Sequence, residues 1–415
     1  MSEHSLARQP ILDVNNTIYA YEILFRQNKG LNRMIGEATE GINEQLIRSA
    51  LGAYSQNDLL GSHKGFINVD HTFFQKDYGD IFPPQRYIYE LLGSTKVTPE
   101  LVSQISDLHA QGHQFALSEF VFEDWYIKMF SPLFKYASYV KIDLRKNSMM
   151  RVKQLAGNLK QKLKCKLVAE KVETRDEFST CASIGFDYFQ GYYFAQPQIV
   201  KMESLDPSLT KVLEIIGMLN ANDTEMEEII RAFAQAPELE ILLVNFLNSG
   251  AFGLRQGIRS IRHALTLLGR KKVVSWLMVM AGSMGPTHKR HPALITALVR
   301  ARTMEILIEA FDDGKYRNTA DSGFFVGMLS LVDVLLHAPK EEILRNIKAH
   351  DKIQQAVLKY EGTMGQMLEA IIAHEQDDVP KACEIVENLL IPFSVFSEAT
   401  LQAYVWADSL LSDGQ

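Results

Sequence analysis

Hydrophobic and polar positions alternate in two different ways along this chain, and the change comes near residue 200. Up to that point short apolar runs recur: SLARQPILDV, IYAYEILFR, HKGFINVD, RYIYELLG, QFALSEFV, YVKIDL, KLVAEKV and YFQGYYF. Each has strand length and is rich in β-branched and aromatic residues. Most are separated by amphipathic stretches such as PELVSQISDLHAQG and TRDEFSTCASIG. In the second stretch Thr174 precedes Glu177 by three residues, the spacing of a capping box at a helix start. Strands alternating with helices imply a mainly parallel sheet, and eight of them in about two hundred residues predict a closed (β/α)₈ barrel of the TIM type. One junction differs. Only DVNNT separates the first two runs, too short for a crossover helix and rich in turn formers, so the first strand is predicted antiparallel.

After QPQIVKMESLDPSL the period becomes helical: LTKVLEIIGMLNA, EMEEIIRAFAQAP, ELEILLVNFLNSG, IRSIRHALTLLG, KKVVSWLMVMAG and further segments to the end. Gly or Pro stands at many of the breaks. The expected organisation is an α/β barrel over residues 1–200 and an all-α domain over 201–415. No fixed-period repeat and no low-complexity segment is present.

Composition narrows the function classes. The chain has 415 residues, 47% hydrophobic and 22% charged, with net charge −7. That argues for large cores and against a nonspecific nucleic-acid surface. Cys165, Cys181 and Cys383 form no close pair, which fits a reducing compartment and excludes a disulfide framework or a cysteine-based metal site. MSEHSLARQP lacks the apolar core of a signal peptide, and VVSWLMVMAG is too short to span a bilayer. A cytoplasmic protein with no membrane partner is expected.

The candidate chemistry lies in polar residues set inside apolar strands. Glu22 sits in YAYEILFR, with Arg26 closing it. Asn68 sits in FINVD, Glu90 in YIYELLG, Lys141 in YVKIDL, Glu170 in LVAEKVET and Gln190 in YFQGYYF. Ser118 and Glu119 sit in ALSEF and are both expected to face the site. Barrel strands deliver functional groups at their C-terminal ends. A single buried Glu such as Glu90 has a bland explanation in an internal salt bridge. Seven polar strand positions in succession point instead to a cluster of oxygen ligands suited to Mg²⁺ or Mn²⁺.

Here the first half resembles the EAL domains, a family of cyclic di-GMP phosphodiesterases. YEILFR is similar to their Glu-Ala-Leu signature, RQPI to their Gln-Pro-Ile opening and FINVD to their Asn motif. YELLGST, VKIDL, VAEKVET and FQGYYFAQP resemble their later motifs in the same order. The resemblance implies metal ligands at Glu22, Asn68, Glu90 and Glu119. It implies a lysine beside the hydrolytic water at Lys141, a carboxylate for hydrolysis at Glu170 and a nearby polar residue at Gln190. Dinucleotide contacts are implied at Gln9, Leu24, Arg26 and Pro197, with Mg²⁺ or Mn²⁺ as cofactor and cyclic di-GMP as ligand. The chain departs from the pattern at one strand end. Ser118-Glu119-Phe120-Val121-Phe122-Glu123 stands where the family has Asp-Asp-Phe-Gly-Thr-Gly. Ile23 and Lys171 replace Ala and Gly. Two readings follow: a degenerate, non-hydrolytic signalling barrel, and a Mg²⁺- or Mn²⁺-dependent phosphodiesterase yielding pGpG.

In the second half LLVNFLNSGAFG and IRSIRHALTLLGRKKVVSWL resemble the HDOD domain, and FFVGMLSLVDVLL a helix found where HDOD follows EAL. The resemblance implies a helical module that binds a protein signalling partner. His350-Asp351 reads as the start of a helix capped by Asp351. His263, His288, His291, His337 and His374 are too scattered to complete a metal site. Arg270 to Lys272 reads as a solvated helix end, and Met278, Met280 and Met284 as core.

Overall fold

The computed structural model describes residues 4–27, 60–69, 73, 82–191, 207–221, 223–248, 257–284, 292–311, 317–336, 338–376 and 378–412. It divides into two compact units, residues 1–194 and 195–415.

The first unit is a closed eight-stranded barrel in the order β1 to β8. The strands are β1 (His4–Asp13), β2 (Ile18–Gln27), β3 (Lys64–Val69), β4 (Tyr87–Leu91), β5 (Gln114–Phe120), β6 (Ala137–Asp143), β7 (Lys166–Glu170) and β8 (Tyr188–Phe189). β1 is antiparallel to both β2 and β8, and all other pairings are parallel. The reason is the tight turn after β1. Asp13 Oδ1 accepts from the backbone N–H groups of Asn15 and Thr17, each at 2.8 Å, and Asn16 takes a positive φ of 60°. A reversal of that length leaves no room for a crossover helix.

Four helices are described around the barrel: α1 (Pro99–Ala110), α2 (Asp124–Phe130), α3 (Met149–Leu163) and α4 (Arg175–Ile184). α4 starts on the capping box that its sequence predicts. Thr174 Oγ1 accepts from the Glu177 N–H at 3.2 Å, and the Glu177 carboxylate accepts from the Thr174 N–H at 3.1 Å.

The barrel interior is layered. Ile11, Ala20, Phe66, Ile88, Ala116, Tyr139 and Val168 form one buried apolar ring, drawn from β1 to β7. Tyr19 and Tyr188 pack against it and stack on each other with centroids 3.9 Å apart. Side chains repeat every second residue on a strand face. The next interior ring toward the C-terminal ends of the parallel strands therefore consists of Glu22, Asn68, Glu90, Ser118, Lys141 and Glu170. β1 runs the other way, so its member is Gln9, two residues before Ile11, and Gln9 pairs in register with Glu22. One step along each strand face turns an oily layer into a charged one.

The second unit is helical among its described residues. Its helices are α5 (Pro207–Asn220), α6 (Met226–Ala234), α7 (Pro237–Leu247), α8 (Ile261–Leu268), α9 (Arg270–Met284), α10 (Pro292–Phe311) and α11 (Arg317–Leu329). Then come α12 (Val332–Leu336), α13 (Lys340–Asn346), α14 (Asp351–Lys359), α15 (Gly362–Glu375), α16 (Val379–Asn388) and α17 (Phe393–Ser412). α10 is central and packs on α11 and α17. Gly327 permits the α10–α11 contact, because a Cβ there would lie 2.4 Å from the Ala301 backbone.

Two ionic networks are built into this unit. Buried Arg300 forks onto Glu375, its Nε donating to both carboxylate oxygens at 3.0 and 3.1 Å, and its Nη1 donates to Ser330 Oγ at 3.1 Å. Lys272 and Arg302 share the buried Glu305, and Lys272 lies 3.4 Å from Asp321. The expected solvated end at 270–272 is thus corrected for Arg270 and Lys272, while Lys271 is exposed. Arg270 donates to the carbonyls of Ala221 and Thr224, Lys271 to Ser322 Oγ and Lys272 to Glu305. Charged groups at a helix start can be consumed by packed neighbours, which a charge run does not disclose. The cap of α14 also differs: His350 Nδ1, not Asp351, accepts from the Lys352 N–H. Met278 and Met280 lie in the core, and the side chain of Met284 is outside the described residues. None of the described helices is long and apolar enough to cross a membrane.

Candidate functional site

The charged ring of the barrel converges on one ammonium. Lys141 Nζ, from β6, lies 2.7 Å from Glu22 Oε2, 2.7 Å from Glu90 Oε1 and 3.2 Å from Glu170 Oε1. Its side chain is fully buried. Gln190 Nε2 donates to Glu22 Oε2 at 2.8 Å and to Gln9 Oε1 at 2.9 Å, and Asn68 Nδ2 donates to Glu22 Oε1 at 3.2 Å. Gly191 makes this end of β8 possible. A Cβ there would sit 2.3 Å from the Val172 carbonyl, against which the chain passes at φ 153°.

Three carboxylates around one ammonium leave two surplus negative charges if all are ionised (3 − 1 = 2). Burial would push each carboxyl up, and neighbouring charges divide the outcome. Glu22 is brought below the usual carboxylate range despite its burial, because the Lys141 ammonium and the Gln190 and Asn68 amides hold its charge. Burial and the Glu22 charge push Glu90 up to about 8. Burial also raises Glu170, against the opposing pull of Lys141. Lys141 itself is held well above its ordinary value, since Glu170, Glu22 and Glu90 outweigh its burial.

The oxygen atoms fit a hard divalent cation. Glu22, Glu90 and Glu170 each offer an oxygen within 4.8 Å of the others. Among the described residues, Asn68 Oδ1, Glu90 Oε2 and Gln190 Oε1 are buried acceptors without a hydrogen-bond partner. Orphaned acceptors beside a surplus of negative charge are what a cation with oxygen ligands would satisfy.

The end of β5 differs from expectation. Ser118 faces inward and is buried, its Oγ 3.5 Å from Glu170 Oε1. Glu119 does not point with it. Its carboxylate lies 2.9 Å from Lys146 Nζ at the rim, while its backbone N–H donates to Glu170 Oε2 at 3.3 Å. Neighbouring strand residues face opposite sides, and β5 also bulges here. Leu117 pairs with Val140 and Phe120 with Ile142, so β5 spends three steps where β6 spends two. Glu119 takes φ 53° within it, and Tyr126 OH secures the strand by donating to the Ser118 carbonyl at 3.0 Å.

Of the implied ligand contacts, Gln9 is joined to the cluster through Gln190. Leu24 and Arg26 lie two and four residues beyond Glu22, where β2 still pairs with β1 but is no longer paired with β3. The side chain of Arg26 and all of Pro197 lie outside the described residues. Two rim residues were not anticipated. Lys146 carries no periodic signal in the loop after β6. Asp143 does: it sits in the apolar run YVKIDL, two residues after Lys141 on the same strand face. Asp143 accepts from the Arg145 N–H at 2.7 Å and pairs with Lys171 at 3.0 Å, so the lysine that follows Glu170 turns away from the cluster, with φ 57°.

An interior ring of acidic and amide side chains at the C-terminal end of a (β/α)₈ barrel, followed by a helical unit, defines the class. Residues 2–197 match the EAL domain and residues 207–339 the HDOD domain. The chain belongs to the proteins in which an EAL domain is followed by an HDOD domain. It is 27% identical over 417 residues to the uncharacterised protein YuxH of Bacillus subtilis, covering 98% of each. It is 26% identical over 375 residues to the cyclic di-GMP phosphodiesterase CdgJ of Vibrio cholerae, covering 90% of this chain and 85% of that one. Among solved structures it is similar to Klebsiella pneumoniae BlrP1 in a calcium and cyclic di-GMP complex. That match has TM-score 0.37 and 18% identity, over 47% of this chain and 55% of that chain. An EAL domain protein from Listeria monocytogenes matches with TM-score 0.37 and 20% identity, over 46% and 87%.

Proposed function

We propose that this chain is a cyclic di-GMP signalling protein whose barrel binds the dinucleotide with a divalent cation, and hydrolyses it slowly or not at all. The observation that carries this reading is the end of β5, where a hydroxyl faces the cluster and the adjacent carboxylate lies on Lys146. Glu22, Asn68 and Glu90 would hold one Mg²⁺ or Mn²⁺, with Ser118 a weak fourth neighbour. Bound there, the cation would polarise a phosphoryl oxygen and lower the pKa of a water.

The chain's own groups have separable tasks. Lys141 and Glu170 would orient that water and share its proton. Gln190 would keep Glu22 aimed inward through its hydrogen bond. Arg26 would grip a phosphate as a forked donor, with Gln9, Leu24 and Pro197 against the rest of the ligand. Two-metal hydrolysis needs enough carboxylate to hold two repelling dications, which Ser118 does not provide. The HDOD domain would pass the state of the barrel to a protein partner.

A second reading, an active phosphodiesterase producing pGpG, has its own support. The Lys141–Glu22–Glu90–Glu170 cluster is complete, and CdgJ is called a phosphodiesterase. The test is one preparation assayed twice: calorimetry with cyclic di-GMP, and hydrolysis in Mn²⁺. Binding with little turnover is expected. No binding at high micromolar ligand would remove the sensor reading, and several turnovers per second would establish the enzyme.

A further inference from the structure

We infer that Lys146 sets the cation affinity of the barrel by holding Glu119 out of the central cluster, so that cation binding and release of this rim contact are coupled. The inference rests on the cation-binding reading above and concerns a residue to which no role has been given.

Four observations converge on it. The Glu119 carboxylate is paired with Lys146 at 2.9 Å, in the loop between β6 and α3. Its backbone, in contrast, is already at the cluster, the N–H donating to Glu170 Oε2. The backbone of Glu119 thus reaches the cluster while its carboxylate lies at the rim. The bulge and the left-handed φ of 53° aim the side chain at the rim, a conformation that a glutamate holds only where its surroundings enforce it. The side chains of Lys146 and Glu119 are 44% and 36% exposed, and a solvated pair of this kind is weak enough for a competing cation to break. Gly93 leaves space on the other side: Glu119 Oε2 lies 3.2 Å from where a Cβ on Gly93 would be, so a larger residue there would crowd the carboxylate.

The two states have the same covalent structure. In one, Glu119 is neutralised by the Lys146 ammonium. In the other, it adds a further negative oxygen to a cluster that already holds Glu22, Glu90 and Glu170, and this is favourable only once a dication has entered. Lys146 thus prevents a fourth carboxylate from joining a buried site that has no cation to balance it.

The test is Mn²⁺ binding to the full chain, followed by calorimetry and by loss of the free-Mn²⁺ paramagnetic signal, in a double-mutant cycle. Lys146→Met should tighten binding about threefold, the scale of an exposed ion pair. Lys146→Arg, which keeps the pair, should match the parent. In a Glu119→Gln background Lys146→Met should have no effect. An equal gain in both backgrounds would mean that Lys146 acts only by long-range repulsion of the cation, and the inference falls. An unchanged affinity in Lys146→Met, with the parent binding Mn²⁺, also overturns it. A parent that binds no Mn²⁺ defeats the cation-binding reading itself, and the inference with it; that result differs from both others.

Discussion

The two halves of this molecule both bury charge, and they do so differently. In the helical unit, Arg300 faces the carboxylate of Glu375 and also donates to Ser330. One positive and one negative group meet in forked geometry, and their charges balance. In the barrel, one ammonium faces three carboxylates, and three acceptor oxygens are left without donors. A balanced pair is a structural joint. An unbalanced cluster with orphaned oxygens is incomplete on its own terms, and that imbalance marks the barrel as the place where chemistry enters from outside.

The sharpest way to break this comparison removes the cation from each cluster. Lys141→Met and Arg300→Met should each destabilise by about 3–5 kcal/mol, the range for breaking a buried pair. Thermal melts with and without Mn²⁺ should then separate them. Mn²⁺ should restore much of the loss in Lys141→Met and none in Arg300→Met. Equal responses would mean that the barrel cluster is only a salt bridge.

A smaller effect follows from Glu90, pushed up to about 8 by burial and the Glu22 charge. An acid whose folded pKa is raised binds its proton more tightly in the folded state. The folded state therefore loses stability as pH rises from the ordinary carboxylate range to about 8. Glu90→Gln has no such proton to lose. In chelator-treated protein its stability relative to the parent should improve with pH, by at most about 1.4 kcal/mol per pH unit, and then level off. Denaturant melts across that range would show it, and a flat difference would contradict it.

Ser118→Asp extends the imbalance. It should tighten Mn²⁺ about tenfold, the size of one further charged contact, while leaving dinucleotide affinity nearly unchanged. Calorimetry with each ligand separates the two. The smallest effect is expected at Lys381, whose exposed side chain pairs with Glu369 at 2.8 Å. Lys381→Ala should change stability by less than about 1 kcal/mol, with no response to Mn²⁺.

Much of this was legible in the chain itself. The polar ring could be read because each member sits on an apolar strand, and the alternation of strand faces fixes which residues share the interior. Asp143 obeys the same rule, two residues beyond Lys141 on β6. What stayed hidden was local. ALSEFVF contains no sign of a bulge, and the expectation that Ser118 and Glu119 share the site runs against the alternation of strand faces, which sets neighbours on opposite sides. RKK looks like a solvated helix end because sequence shows charge but not the carbonyls and carboxylates that another helix brings to it. Patterns of period report the faces of regular elements; they are silent where the ladder slips and where side chains meet across elements.

The direction of β1 has a practical consequence. In a barrel whose strands are all parallel, the chain starts at the closed end, far from the ligand. Here β1 descends from the mouth, passing His4, then Gln9 beside the charged ring, then Ile11 in the oily one. His4 stands five residues above Gln9, roughly 17 Å at 3.4 Å per residue. A fluorophore joined ahead of His4 would lie at the end of the barrel where Gln9 meets the charged ring. Such a fluorophore would report on events at that ring.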